Sequence, residues 1–436
     1  MDLGVVFIIV GLALLMFLAF NRVNILVASI VCSMVIVLAN GMPVISTLSE
    51  SYMSGFGSFI TSNYLIFAFS ALFGKVMEET GAAKAFAYLI CRGFSDRYAI
   101  YACILATGLL CYGGVSVFVI VFAVYPIFVE CFKRADLPAR LLPGAIAFMP
   151  FTCASACFPG APAINNILPT QYLGTTLMAA PVVGSIAGLF MMAFGFFYLE
   201  YEIRRAKRLG EGFVANAVML AQIEKEEKSG RVVTSTDQIL SIVPIISLIV
   251  LINVLQLTVW VAMILVIIGT ILLFWKNVHG KINMVNLGIS GSFAAIINTA
   301  SVVGFGTVIK AMPGFQVIID KIASMGGTPM ISLALSTTLI AGVTGSGSGG
   351  VGTALSVLTE RYLAMGVQPQ IFHRIVSVAS TGLDSLPHNS AVITLLSVCG
   401  FTHKEGYKAI FMLTVVNSLL ALVVTVALGY VFYPLM

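Results

Sequence analysis

The sequence predicts an all-α polytopic membrane protein of two inverted-topology repeats, with about ten full spans, two re-entrant hairpins and two interrupted helices. Three observations carry that prediction. First, 59% of the 436 residues are hydrophobic and only 9% are charged, giving a mean hydropathy of +1.04. Soluble domains carry about a quarter charged residues, so this chain cannot clothe itself for water. Second, two glycine-rich breaks interrupt apolar stretches, at Tyr112-Gly113-Gly114-Val115-Ser116 and at Thr344-Gly345-Ser346-Gly347-Ser348-Gly349-Gly350. Irregular backbone survives at membrane depth only where it lines a protein cavity. Third, Phe73-Gly74-x-Val76 and Gly113 in the first half match Phe305-Gly306-x-Val308 and Gly345 in the second at one common offset, with Pro159 and Pro387 following at a slightly shorter one.

About twenty residues at 1.5 Å rise cross a hydrocarbon core of about 30 Å. On that ruler Leu3–Phe20 and Val23–Asn40 are spans joined at Asn21-Arg22. The start Met1-Asp2 lacks the basic region and small-residue cleavage site of a secretory signal, so the first span is read as retained. A loop around Pro43–Gly57, in which Ser54-Gly55-Phe56-Gly57-Ser58 makes a tight approach, leads to a third span at about Asn63–Lys75. Lys75, Glu78 and Glu79 are expected to reach the interface from its end. Residues 98–131 divide at Gly113-Gly114 into arms of about fifteen residues, roughly 22 Å, too short to span. Arg97 and Lys133-Arg134 flank the pair on one side, giving a hairpin that inserts from the cytoplasm. A span broken near Ser155–Pro162 follows (about 141–170), then a span at Thr175–Leu199.

Glu200–Asp237 is the sustained polar stretch, with Arg204, Arg205, Lys207, Arg208, Lys225, Lys228 and Arg231 mixed with acids at helical spacing. It reads as a cytoplasmic connector whose charges solvate a surface helix. The second half repeats the order: Ile239–Gln256 and Val259–Trp275, a turn at Lys276, His279 and Lys281, a span near Val285–Ile309, a hairpin at about 329–362, a broken span at about 371–400 and a last span at Ile410–Phe432. The expected units are therefore residues 1–199, the connector 200–238 and residues 239–436. Basic loops mark the cytoplasmic face, which places both termini outside, in an inner cell membrane.

The net charge of +5 does not indicate nucleic acid, because the basic residues cluster in short loops between apolar runs. The eight cysteines lie almost wholly in apolar segments without a paired-cysteine or histidine metal pattern, so neither a metal nor a cofactor is expected.

Four irregular segments are expected to converge: the two tips and the breaks Cys153–Pro162 and Thr381–Ser390. Proline frees carbonyls in the preceding turn, which can hold a cation, while half-helix N-termini offer N–H groups to an anion. The candidate substrate-binding residues are Gly113, Gly114, Ser116, Ser155, Asn165, Gly345, Ser346, Gly347, Ser348, Gly349, Thr353, Ser385 and Asn389. Asn165, Asn166 and Asn389 also have a plainer reading as bridges between helices. Asp384 and His388 stand out as the most costly residues in the membrane region and are the candidate coupling-ion residues. The plainer alternative is that they satisfy each other or the freed backbone. Neither tip nor break contains lysine or arginine, which favours a small monocarboxylate held by helix ends and hydroxyls.

At these residues the chain resembles the gluconate permease (GntP-type) family of organic acid:cation symporters, within the ion transporter superfamily. The resemblance spans nearly the whole chain and rests on Gly55-Phe56-Gly57, Glu79-Thr80-Gly81-Ala82, the glycine tip at 345–350, and the Pro159-Gly160 and Asp384–Ser390 breaks. Gln171-Tyr172-Leu173-Gly174-Thr175 and Gly382–Ser390 look like the hydroxybutyrate permease branch. The resemblance implies proton symport of a hydroxy acid such as 3-hydroxybutyrate or a gluconate-like acid, inverted repeats, and a homodimer with elevator-type scaffold and transport domains. Cys153–Pro162 contains no histidine, unlike the gluconate branch, which favours the smaller acid. The readings kept beside it are a sodium-coupled di- or tricarboxylate carrier and an intramembrane hydrolase using Asp384, His388 and Ser385 or Ser390.

Overall fold

Apolar runs punctuated by glycine and proline fold, in the computed structural model of the chain, into helices throughout, with no strand among the described residues. The structure describes residues 3–21, 23–93, 96–112, 115, 117–161, 163–228, 233–255, 257–277, 281–323 and 328–435. The readings placed on Arg22, Gly113, Gly114, Ser116, Pro162, Arg231 and His279 lie outside them.

The first half runs α1 (Leu3–Phe20), α2 (Ile25–Ala39), α3 (Val44–Glu79), α4 (Ala82–Gly93), a hairpin of α5 (Asp96–Tyr112) and α6 (Val117–Arg134), three short pieces α7 (Leu142–Ala147), α8 (Cys153–Ala156) and α9 (Ile164–Leu173), and α10 (Pro181–Arg208). The connector carries α11 (Ala217–Lys228) and α12 (Ser235–Leu240). The second half runs α13 (Ile242–Asn253), α14 (Val259–Leu273), α15 (Lys281–Ala311), α16 (Pro313–Ala323), a hairpin of α17 (Pro329–Thr344) and α18 (Gly347–Ala364), a helix broken into α19 (Pro369–Ala379) and α20 (Ser390–Cys399), and α21 (His403–Phe432). A long helix, a short helix, a hairpin, a broken helix and a closing helix thus recur in the same order.

Helices α3 and α15 pack extensively on each other, with α2 against α15 and α14 against α3. The first hairpin packs on α3 through α6, while α20 packs on α15. The first broken helix lies against the second hairpin and second broken helix, α9 touching both α18 and α19, and α10 pairs with α21. Among the described residues six helices are long and apolar enough to cross a membrane. That is fewer than the expected ten. The helical parts of α2 and α14, expected as full spans, are each 15 residues, roughly 22 Å.

Three boundaries differ from the sequence reading. The expected loop at Pro43–Gly57 is helix from Val44 onward, with a wider π turn at Leu48–Tyr52. Gly55 is there for packing: a Cβ at this position would collide with the Thr307 side chain on α15. A mid-helix glycine costs about 1 kcal/mol relative to alanine, a cost offset here by close approach of the two central helices. The span expected at Thr175 begins only at Pro181, because Ala180 adopts a left-handed turn (φ 42°) and Pro181 opens the helix. At its other end α10 runs on through Arg204, Arg205, Lys207 and Arg208, whose charges suit a helix C-terminus. Lys75 closes on Glu78 (2.6 Å) and Glu79 (3.3 Å), so these residues pair locally at the end of α3.

Candidate functional site: a cavity where four helices begin

Between the breaks lies a cavity of about 300 Å³. Ser155, Asn165, Ser346, Gly347, Ser348, Asp384 and Asn389 form its polar lining, and Val115, Phe118, Phe151 and Ile164 its apolar wall. No lysine or arginine lines it among the described residues. What replaces them is backbone. The first residues of four helices reach the cavity: Val117 and Phe118 of α6, Ile164 and Asn165 of α9, Gly347 and Ser348 of α18, and Ser390 and Ala391 of α20. Each helix N-terminus carries about half a positive charge, so the four together offset roughly two negative charges. Such an arrangement would suit an anion without any cationic side chain.

Local chemistry sets each start. Gly345 ends α17 in the left-handed region (φ 60°), where a Cβ would also meet the His388 ring at 2.8 Å. Only glycine fits there. Ser346 then caps α18, its Oγ accepting from the Gly349 N–H at 3.2 Å. Asn389 caps α20 in the same way, its Oδ1 accepting from the N–H groups of Ala391 (2.7 Å) and Val392 (3.0 Å). Its amide nitrogen donates to the Asp384 carboxylate (2.6 Å) and to the Gly345 carbonyl (3.1 Å). One side chain therefore joins the second hairpin tip, the second break and the acid between them. The tip lies close against this acid: a Cβ at Gly347 would meet the Asp384 Oδ2 at 2.7 Å.

The structure gathers Ser155, Asn165, Ser346, Gly347, Ser348, Asp384 and Asn389 and leaves the other described candidates outside the lining. Gly345 and Gly349 shape the tip. Thr353 turns back to the Gly349 carbonyl (2.9 Å), and Ser385 Oγ is buried without a hydrogen-bond partner. His388 is not paired with Asp384: its Nε2 donates to the Gly342 carbonyl (3.1 Å), fixing the break against α17. Asn166 is the bridging kind, its amide holding the carbonyls of Ala161 and Leu177.

Sequence reasoning passed over the most deeply placed charge. Arg374, in the first arm of the second broken helix, is fully buried and donates to Ala156 O (2.9 Å), Ala179 O (2.7 Å) and Asn166 Oδ1 (3.3 Å). Arg374 therefore joins Asp384 and His388 among the costly groups of the apolar region. A polar stripe at Gln370, His373, Arg374 and Ser377, at i, i+3, i+4 and i+7 of an otherwise apolar run, was the available signal.

A sequence model of GntP family permeases matches residues 3–229. The uncharacterized transporter YxjC of Bacillus subtilis (strain 168) is 34% identical over 456 aligned residues, covering 95% of this chain and 96% of that one. The chain belongs to the GntP permease family. It is thus a multi-pass membrane permease of a transporter family.

Proposed function

We propose that this permease is a secondary active transporter that carries a small hydroxy monocarboxylate, such as 3-hydroxybutyrate or a gluconate-like acid, together with a proton. The convergence of four helix N-termini on one cavity carries the reading. Their summed partial charge, roughly two units, suffices for Asp384 and one further carboxylate but not for a di- or tricarboxylate. The apolar wall of Val115, Phe118, Phe151 and Ile164 suits a short carbon chain, and the hydroxyls of Ser155, Ser346 and Ser348 suit its alcohol.

Asp384 is the proposed coupling residue, with His388 positioning its loop. A cation bound at Asp384 and an acid bound beside it attract one another more strongly between protein walls than they would in bulk water. By linkage each then tightens the other's binding, which is the thermodynamic content of symport. Around this site the proposal places two inverted repeats, residues 1–199 and 239–436, joined by a cytoplasmic connector at 200–238, with both termini outside. The family resemblance supports a homodimer in the inner membrane whose broken helices and hairpins move as a unit against the remaining helices.

Uptake of labelled 3-hydroxybutyrate into proteoliposomes, with pH and sodium varied independently, tests the reading. Uptake driven by an inward proton gradient supports it. Uptake driven by sodium and competed by citrate or succinate would replace it with the carboxylate-carrier alternative. Catalysis by a serine has no support in the geometry: no hydrogen bond joins Ser385 or Ser390 to His388 among the described residues.

A further inference from the structure

One face of α19, in the second half, holds the backbone of the first broken helix along its length. Gln370 Oε1 accepts from the Ala180 N–H (3.2 Å). His373 bonds to Thr175 Oγ1 (2.7 Å) through one ring nitrogen and to Asn166 Oδ1 (2.8 Å) through the other. Ser377 Oγ donates to the Asn165 carbonyl (2.9 Å). Between them the Arg374 guanidinium reaches the carbonyls of Ala156 and Ala179 at once, and the Leu177 carbonyl at 3.5 Å. No ion pair among the described residues includes it. Gly184 on α10 leaves the space, since a Cβ there would meet the Arg374 Nε at 2.8 Å.

Two of these contacts fall beside the cavity. Ala156 follows Ser155, and Asn166 follows Asn165, the two polar residues that the first broken helix contributes to the lining. Ser155 Oγ is spent on its own turn, donating to the Thr152 carbonyl (3.0 Å). Helix α9 also packs on α18 and its Asn166 amide holds Ala161 and Leu177, but the hydrogen bonds that tie its Asn165 and Asn166 to the second half come from this stripe. We propose that the Gln370–His373–Arg374–Ser377 stripe, centred on Arg374, is the positioning device that fixes Asn165 and Ser155 in the cavity, and through them the permease's affinity for and choice among acids. The inference rests on the reading of this cavity as the substrate site. The planar guanidinium is suited to the task because its fork spans two carbonyls, which the single ammonium of lysine cannot.

Two readouts test the stripe. In proteoliposomes, Arg374→Lys should raise KM for 3-hydroxybutyrate by about tenfold or more, and change the ratio of KM values between 3-hydroxybutyrate and gluconate, as misplacement of a binding group by a distant substitution does. A clamp that serves stability alone would leave that ratio unchanged. Independently of any transport, a cysteine at Asn165→Cys should change its rate of labelling by a membrane-impermeant thiol reagent when Arg374→Lys is added, while a cysteine at Ser348→Cys should not. Cys32, Cys103, Cys111, Cys131, Cys153, Cys157 and Cys399 are buried, and because Cys111 lines the cavity the wild type and Arg374→Lys alone supply the labelling background. Where Arg374→Lys fails to assemble, Ser377→Ala removes one hydroxyl from the same stripe and takes its place in both tests. An unchanged selectivity ratio together with unchanged labelling at 165, or equal changes at 165 and 348, overturns the proposal. Should wild type carry no organic acid, the labelling result still decides the positioning, and the substrate reading falls alone.

Discussion

Around the first break, the carbonyls of Ala156 and, beyond α9, of Ala179 take donors from a distance, from Arg374 of the other half, which also reaches the Leu177 carbonyl already held by Gly160 and Asn166. In the second, the work is done locally: Asn389 caps α20 and bonds Asp384, His388 holds Gly342, and Tyr407 donates to the Ser385 carbonyl (2.9 Å). Both breaks face the same requirement, that buried peptide groups find partners. The difference shows where the chemistry sits. A break supported by a rigid outside clamp presents a fixed wall, whereas a break supported by its own polar side chains presents an acid whose bonds can change when a cation or substrate arrives. The first half supplies the wall and the second the acid.

Predictions that would break this asymmetry run from large to small. Asp384→Asn keeps an acceptor for the Asn389 amide but removes the charge, so gradient-driven uptake should be lost while the protein extracts and unfolds like wild type. Retained coupled uptake would remove Asp384 from the mechanism. Gly347→Ala comes next. A Cβ there would meet the Asp384 Oδ2 at 2.7 Å, whereas one at Gly349 would meet only the Ser346 Oγ at 3.2 Å. KM should therefore rise about tenfold for Gly347→Ala, ~1.4 kcal/mol, and clearly less for Gly349→Ala. Equal KM values would place the substrate away from the tip.

Asn389→Ala removes a helix cap and two bonds across the site. The cap alone is worth about 1 kcal/mol, so the midpoint of thermal unfolding should fall by about one degree along with affinity. A loss of affinity without any loss of stability would contradict the capping role. The smallest effect belongs to Ser385→Ala. Its hydroxyl is buried, unpartnered and outside the lining, so KM should stay within about twofold and stability should hold or rise.

The sequence exposed the parts of this molecule that local chemistry dictates. Hydropathy located the long helices, the glycine cluster at 345–350 marked a hairpin tip, and Pro159 and Pro387 marked the two breaks. It failed where partners lie far off in the chain. Gly55-Phe56-Gly57 looked like a turn because glycine breaks isolated helices, and only the presence of α15 at Thr307 explains its helical state. Arg374 was hidden inside an apolar run, since what makes a buried guanidinium tolerable is the set of carbonyls about 200 residues earlier. Ser385 and Thr353 were chosen for being hydroxyls near the breaks. Which way a side chain turns, toward the cavity or back to its own helix, is a matter of tertiary packing.

The account stands on a cavity where helix starts hold an acid and Asp384 holds its driving cation. Uptake of labelled 3-hydroxybutyrate by wild-type and Asp384→Asn proteoliposomes, each with and without an imposed inward proton gradient, tests it most directly. The predicted result is accumulation in wild type only when the gradient is present, and none in the variant. Gradient-driven accumulation of equal extent in both would contradict it.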